Sequence, residues 1–149
     1  MVKVNEIKCK SALSPCGFSK GDFCLNPYVG CGHSCVYCYA RFMKRFTGHT
    51  EPWGTFVDIK TNIAEALEKQ LKMSKYKDHT VFIGTVEDPY QPLEKKYEMT
   101  RKVLRVLLKH QISTVIMTKS DLVTRDLDLL KRFKNINAVS YTHLTLPTN

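Results

Sequence analysis

The chain has 149 residues, 43% of them hydrophobic, and a formal net charge of +9. This length suits one domain with a sizeable core. No apolar run reaches the roughly 18 residues of a membrane span, and the first residues lack the apolar core of a signal peptide, so both classes are excluded. We therefore predict a cytoplasmic protein with no membrane partner.

The chain begins with a polar stretch that favours no regular element. Ser14-Pro15 and Gly17 interrupt residues 1–21, which we predict to form an irregular N-terminal arm. The apolar residues 23–25 indicate a first strand, and Asn26-Pro27 ends it. We assign 22–138 to a single core domain.

Three cysteines follow this strand within eight residues. Cys31, Cys35 and Cys38 lie on one loop, so their thiolates can face a single metal centre, and soft sulfur ligands select iron–sulfur clusters, zinc or copper(I). Closed zinc sites and ordinary ferredoxin clusters take four protein ligands. Three ligands therefore indicate a centre with one open position. Beyond the loop, 36–46 is typical of a helix.

The remainder alternates between strands and helices. An extended segment over 53–59 leads to a helix that starts at Asn62, which forms a capping box with Glu65. The next elements that we predict are a strand at 80–84, a helix at 96–110, a strand at 113–118, a helix at 125–134 and a strand from 135. The apolar residues expected to be buried on the first and last of these helices are Ile63, Leu67, Leu71, Leu127, Leu130 and Phe133.

Alternating strands and helices predict an α/β fold with a parallel sheet and outer helices. In such folds ligands lie at the carboxyl ends of the strands. Three segments reach that edge in this sequence: the cysteine loop, residues 84–92 and residues 118–120.

The cysteine loop and its surroundings resemble a known family. The pattern Cys-x3-Cys-x2-Cys with Tyr37 before the last cysteine is similar to the signature of radical S-adenosylmethionine (SAM) enzymes. The runs at 26–31, 38–41 and 84–92 resemble the spore photoproduct lyase branch, with Glu87 where that branch has threonine. The resemblance extends from about Leu25 to about Ala138.

The resemblance implies a fold, cofactors and partners. The fold would be the N-terminal portion of a partial (β/α)6 barrel. Cys31, Cys35 and Cys38 would hold three irons of a [4Fe-4S] cluster, and S-adenosyl-L-methionine would bind the fourth. An electron donor such as flavodoxin or ferredoxin would start reductive cleavage to a 5'-deoxyadenosyl radical.

The resemblance also implies which residues contact the cofactor. Tyr37 accompanies the cluster, and Gly84 and Thr85 would face the amino group of the cofactor. Lys119 and Ser120 would hold its carboxylate or ribose. No catalytic residue is assignable.

One alternative is a zinc-bearing nucleic-acid-binding module, with the zinc site completed by His33, His49 or another cysteine. The basic charge favours polyanions, so nucleic acid is a candidate substrate under either hypothesis. Cys9, Cys16 and Cys24 are interpreted as ordinary reduced thiols. The cysteine content of a chain that is not exported favours metal binding over disulfides.

The last eleven residues, 139–149, contain no Lys, Arg, Asp or Glu, unlike the rest of the chain. The run 141–148 resembles the translation of a transposase adapter used in sequencing libraries. We therefore predict that the native coding sequence stops near Ala138 and that 139–149 is a non-native tail, which we exclude from fold reasoning.

Overall fold

The fold was analysed in a computed structural model, which describes residues 2–33 and 38–140. The strands in chain order are β1 (Lys3–Ile7), β2 (Ser14–Pro15), β3 (Phe23–Leu25), β4 (Tyr28–Val29), β5 (Phe56–Lys60), β6 (Val81–Ile83), β7 (Thr114–Thr118) and β8 (Ile136–Ser140). The α-helices are α1 (Ile63–Leu71), α2 (Glu94–Tyr97), α3 (Met99–Lys109) and α4 (Leu127–Leu130). Three 3-10 helices accompany them, at Tyr39–Phe46, Ser74–Tyr76 and Asp121–Asp126.

The larger sheet has five strands in the order β2-β3-β6-β7-β8. Strands β3, β6, β7 and β8 are parallel neighbours, and one row of their register joins Leu25, Ile83, Ile116 and Ala138. The βα alternation predicted this parallel core, and the structure confirms it. The sheet is mixed at its edge, where the short strand β2 pairs with β3 in the antiparallel direction.

The second sheet has three strands in the order β1-β5-β4. Strand β1 lies parallel to β5, from Lys3 opposite Phe56 to Ile7 opposite Lys60. The prediction of an irregular arm over 1–21 was therefore wrong. Its polar sequence suits an edge strand, because β1 has exposed or half-buried side chains throughout while its partner β5 is buried at its first four residues.

The main core lies between the larger sheet and helices α1 and α3. Ile63, Leu67 and Leu71 are fully buried, as their four-residue spacing predicts. They pack in one cluster with the β6 side chains Val81 and Ile83. Each such side chain contributes about 1.5–3 kcal/mol on leaving water, so this stripe fixes α1 on the sheet.

The predicted helix start at Asn62 is confirmed, but the capping box is wrong. No side chain caps the first turn of α1. The Asn62 amide instead accepts a hydrogen bond from Cys9 N at 2.8 Å and donates one to Cys9 O at 2.9 Å. Asn62 therefore ties the segment after β1 to the start of α1.

The other predicted helices are shorter or tighter than expected. The described part of 36–46 forms a 3-10 helix rather than an α-helix. The helix predicted at 96–110 is split at Glu98, whose left-handed backbone (φ 53°) separates α2 from α3. In the last helix Leu127 is 47% exposed and Leu129 is buried in its place, because a 3-10 turn precedes α4 and rotates its face.

Strand β8 includes Val139, the first residue of the predicted tail, whereas 141–149 lie outside the described residues. The domain boundaries at 22 and 138 stay predictions. Over the described ranges, no helix combines the length and apolar character that crossing a bilayer requires.

Candidate metal and cofactor site

The carboxyl ends of β3 and β6 are joined by one asparagine. Asn26 follows β3, and its amide donates to Thr85 Oγ1 at 3.0 Å and accepts from Val86 N at 3.2 Å. The residues that lead into the cysteine loop are therefore in direct contact with the segment 84–92. The sequence analysis identified Asn26 as the end of a strand and as part of the resembling run 26–31, but it missed this role.

Gly84 occupies the tightest position of this edge. Its φ is 91°, and a Cβ there would lie 2.6 Å from both Met117 O and Pro89 Cδ. Its N–H donates to Leu25 O at 3.2 Å. Since only glycine fits such a backbone, Gly84 lets β3, β6 and β7 end at one place.

Asp88 joins the loop after β6 to the end of β7. Its Oδ1 accepts from Thr118 Oγ1 at 2.5 Å and from Tyr90 N at 2.8 Å, and its Oδ2 accepts from Lys119 N at 3.0 Å. His33 Nε2 lies 3.2 Å from the same Oδ2. Burial alone would raise the pKa of Asp88, but these surrounding donors lower it below its ordinary value.

The side chain of Gln91 is hydrogen-bonded to the backbone at the start of the cysteine loop. This fully buried side chain accepts from Gly32 N at 2.9 Å and donates to Gly30 O at 3.1 Å. The two bonded groups flank Cys31. Gly30 has φ 86°, and a Cβ on it would lie 2.5 Å from Phe56 O, so the loop passes directly over β5.

Two of the three predicted cysteine ligands lie in the described residues. Cys31 is buried with Ala40, Trp53 and Phe56, and Cys38 packs against the same cluster. Both are free thiols. Burial raises the pKa of Cys31 to about 12, and a soft metal ion that binds it would displace the proton.

Cys35 and Tyr37 lie outside the described residues. Within 2–33 and 38–140, no three His, Cys, Asp or Glu side chains are arranged to hold a metal ion. The donor chemistry of Cys31 and Cys38 fits an iron–sulfur cluster, and the third donor that the sequence supplies is Cys35.

The histidines of the zinc alternative contact carboxylates. His49 Nε2 lies 2.9 Å from Asp58 Oδ2, and its Nδ1 lies 3.0 Å from Glu51 Oε1. The bond with Asp58, more than that with Glu51, raises the pKa of His49. His49 therefore has both ring nitrogens engaged by acids, while His33 faces Asp88.

A cavity of about 310 Å³ opens beside the apolar cluster that contains Cys31, Trp53 and Phe56. Asn26, Gly30, Trp53, Lys60 and Thr85 are among its lining residues. The buried Trp53 Nε1 has no hydrogen-bond partner in the described part of the chain. Burial lowers the pKa of Lys60, which ends β5, so this cavity offers a desolvated cation and an indole donor. The sequence analysis missed both Lys60 and the Trp53 indole. Lys60 could have been identified as a polar residue at the end of an apolar strand.

Glu87 is buried next to Asp88. Its Oε2 accepts from Tyr28 N at 3.3 Å, whereas its Oε1 has no hydrogen-bond partner among the described residues. Burial, and then the neighbouring charge of Asp88, raise the pKa of Glu87 well above its ordinary value, although Lys60 acts in the opposite direction. Burial and a neighbouring negative charge both favour the neutral form of this carboxyl group over the charged form.

The structure assigns local bonds to the other predicted cofactor contacts. Ser120 Oγ accepts from Leu122 N at 3.1 Å and so caps the following 3-10 helix. Lys119 N is bonded to Asp88, and Thr85 Oγ1 is bonded to Asn26. The cofactor roles of Gly84, Thr85, Lys119 and Ser120 stay predictions.

The family follows from comparison with known proteins. The family model described as the radical SAM superfamily matches residues 25–148, most of the chain. The α/β architecture with mixed sheets is consistent with that domain. The chain therefore belongs to the radical SAM superfamily.

Individual relatives agree with this assignment. An uncharacterized protein of Methanocaldococcus jannaschii is 34% identical over 135 residues, covering 91% of this chain and 49% of its own length. An uncharacterized protein of Mycobacterium tuberculosis is 32% identical over 87% of this chain and 39% of its own length. An uncharacterized protein of Acidianus two-tailed virus is 37% identical over 74% of this chain and 38% of its own length. The chain thus spans half or less of these relatives, and no solved structure matches it.

The two hydrogen bonds of Gln91 to Gly30 and Gly32 lead to a testable prediction. Gln91→Leu leaves Gly30 O and Gly32 N without their partner, at about 1–3 kcal/mol for each buried group. We expect a lower free energy of unfolding and a clear loss of iron after anaerobic reconstitution with iron and sulfide, measured by elemental analysis.

Gln70→Leu is the matched control for this substitution. Gln70 also accepts from two backbone amides, Ala12 N at 2.7 Å and Leu13 N at 2.9 Å, but these belong to the N-terminal segment. We expect a comparable loss of stability with unchanged iron content. Equal iron contents in the two variants would contradict the role of Gln91.

Glu87 makes a prediction about pH. Because its pKa is raised in the folded state, the stability that its proton contributes is complete at low pH and is lost as the pH rises through the raised pKa. Glu87→Gln stays neutral at every pH. The difference in Tm, variant minus unchanged chain, should therefore increase between about pH 5 and pH 9, by about 2–4 °C for each kcal/mol.

The control for Glu87 is Glu65→Gln on an exposed position of α1, which should retain the pH dependence of the unchanged chain. Thermal melts followed by circular dichroism across this pH range provide the measurement. A Tm difference for Glu87→Gln that does not vary with pH would show that Glu87 is ionised in the folded chain.

Proposed function

We propose that this chain carries the cofactor site of a radical SAM enzyme, with Cys31, Cys35 and Cys38 as ligands of a [4Fe-4S] cluster. The observation that carries the proposal is the triple-cysteine loop, two of whose thiols pack in one cluster beside the cavity. Bound together, the cluster and S-adenosyl-L-methionine supply reductive cleavage of the sulfonium to a 5'-deoxyadenosyl radical. The electron would come from a donor such as flavodoxin or ferredoxin.

The residues of the chain would hold and orient the cofactor. Tyr37, Gly84 and Thr85 are the proposed contacts nearest the cluster and the amino group, with Lys119 and Ser120 for the carboxylate or ribose. The cavity adds Lys60, whose ammonium group suits a carboxylate. Trp53 and Phe56 pack around Cys31 and exclude water from this side.

The spore photoproduct lyase branch is the proposed position within the superfamily. It is supported by the runs at 26–31 and 84–92, whose side chains Asn26, Asp88 and Gln91 make the contacts that assemble the site. The net reaction of the whole protein belongs to this proposal as well.

Cysteine variants test the cluster. Cys31→Ala, Cys35→Ala and Cys38→Ala should each abolish the visible iron–sulfur absorbance and the formation of 5'-deoxyadenosine under reducing, anaerobic conditions, because each removes a ligand. Cys9→Ala, a thiol outside the loop, should retain both. Zinc in place of iron in the reconstituted chain would contradict the proposal and favour the zinc-bearing module. Cleavage that persists in Cys35→Ala would contradict the assignment of Cys35 as a cluster ligand.

Nucleic acid is the proposed substrate class. Besides the charge of +9, the 3-10 helix that follows Cys38 exposes Phe42 by 46% and Phe46 by 66%, and the Arg45 guanidinium lies 4.9 Å from the centre of the Phe46 ring. Exposed aromatic rings beside basic groups are typical of surfaces on which unpaired bases stack.

Phe46→Ala tests this surface. Each stacked base is worth about 1–3 kcal/mol, so the Kd for a labelled single-stranded oligonucleotide should rise roughly 5-fold or more, measured by fluorescence anisotropy. Phe18→Ala is the control, because Phe18 is 62% exposed but packs its ring edge-on against Phe82. Absence of binding by the unchanged chain, or an equal effect of the two substitutions, would contradict this substrate class.

A further inference from the structure

Two cysteines outside the metal loop face each other across the β2–β3 hairpin. Cys16 Sγ and Cys24 Sγ are 2.8 Å apart. The hairpin sets this distance: Ser14 pairs with Cys24, Pro15 pairs with Phe23, and Cys16 N donates to Asp22 O at 3.0 Å. Cys16 and Cys24 are therefore diagonal neighbours on one face of an antiparallel pair.

The two thiols differ in their access to solvent. Cys24 is buried and lines the cavity that Trp53 and Lys60 also line. Cys16 is half-buried and directly follows the short edge strand β2. A small oxidant can therefore reach Cys16 first. Cys24 is then the nearest nucleophile to any group attached to Cys16.

We propose that Cys16 and Cys24 form a reversible disulfide by exchange with a low-molecular-weight disulfide. The Cys16 thiolate attacks one sulfur of the reagent, forms a mixed disulfide and releases one thiol. The Cys24 thiolate then attacks the Cys16 sulfur and releases the second thiol. The two cysteines lose two electrons and two protons, and one reagent disulfide becomes two thiols. This proposal does not depend on the cofactor.

Burial first, and then the contact with Cys24, raise the pKa of Cys16 to about 12. Since the thiolate is the reacting species, exchange should be slow at neutral pH and should accelerate as the pH rises. Asp22, whose charge also disfavours the Cys16 thiolate, contributes in the same direction.

A disulfide between Cys16 and Cys24 would change the side of the cavity that Cys24 lines. Cys24 lies two residues before Asn26, which bonds to Thr85 and Val86. A bond to Cys16 would fix β2 on β3 and so restrain the first strand of the parallel core. It would also replace the Cys24 thiol, which now lines the cavity, with a less polar disulfide.

The test uses the intact chain with glutathione disulfide as the oxidant. After oxidation under native conditions, alkylation of the remaining thiols and digestion with trypsin, peptide 11–20 should be joined to peptide 21–41. Because the second peptide also contains the loop cysteines, fragmentation of the joined peptides must place the bond at Cys24. The cross-linked chain should melt at a higher temperature, and a reducing thiol should reverse the increase.

Variants and a denatured sample provide the controls. Cys16→Ser and Cys24→Ser should each abolish the cross-link, and Cys9→Ser should retain it. Oxidation in concentrated urea should give mixed pairings, because the hairpin no longer holds the two thiols together. The proposal is overturned if native oxidation gives no bond between Cys16 and Cys24, or gives it no more selectively than in urea.

Discussion

The whole site depends on the buried polar side chains of the loop that follows β6. Asp88 bonds to the end of β7 and lies against His33, while Gln91 bonds to the backbone on both sides of Cys31. Buried polar groups are costly unless they are paired, so these contacts specify one arrangement of the loop. The described residues at the start of the cysteine loop, 30–33, are therefore held by contacts with this neighbouring loop.

That loop is itself fixed by a buried network of charges. Glu94 accepts from Tyr28 OH and pairs with Arg125 at 2.8 Å, and Asp126 pairs with Arg125 at 2.8 Å and with Arg101 at 2.6 Å. Tyr90 OH donates to Asp126 at 2.8 Å. Both acids are fully buried, and removing one partner from such a pair typically costs about 3–5 kcal/mol. The network thus connects β4, α2 and the segment before α4 beneath the site.

The features that were predicted correctly are those that a local hydrophobic pattern or a short motif encodes. The burial of Ile63, Leu67 and Leu71, the strands around Val81 and Val115, and the placement of strand ends at one edge follow from local pattern. Contacts between distant segments do not. The pairing of Lys3 with Phe56, the bond from Asn62 to Cys9 and the contact of Cys16 with Cys24 join residues that carry no mutual signal in a single sequence. The burial of Leu127 was predicted wrongly because a 3-10 turn precedes α4. A 3-10 turn has fewer residues than an α-helical turn, so the buried face lies at other residues than a regular α-helical spacing predicts.

The two sides of the site differ in polarity, and this difference has a consequence for redox chemistry. Trp53 and Phe56 surround Cys31 with apolar surface, whereas Asp88 and Glu87 lie on the β6 side. The reduction potential of a cluster depends on burial and on hydrogen bonds to its sulfurs. Burial favours the neutral form of Glu87 over its charged form, and a negative charge near Cys31 would disfavour the Cys31 thiolate and make reduction of a bound cluster harder.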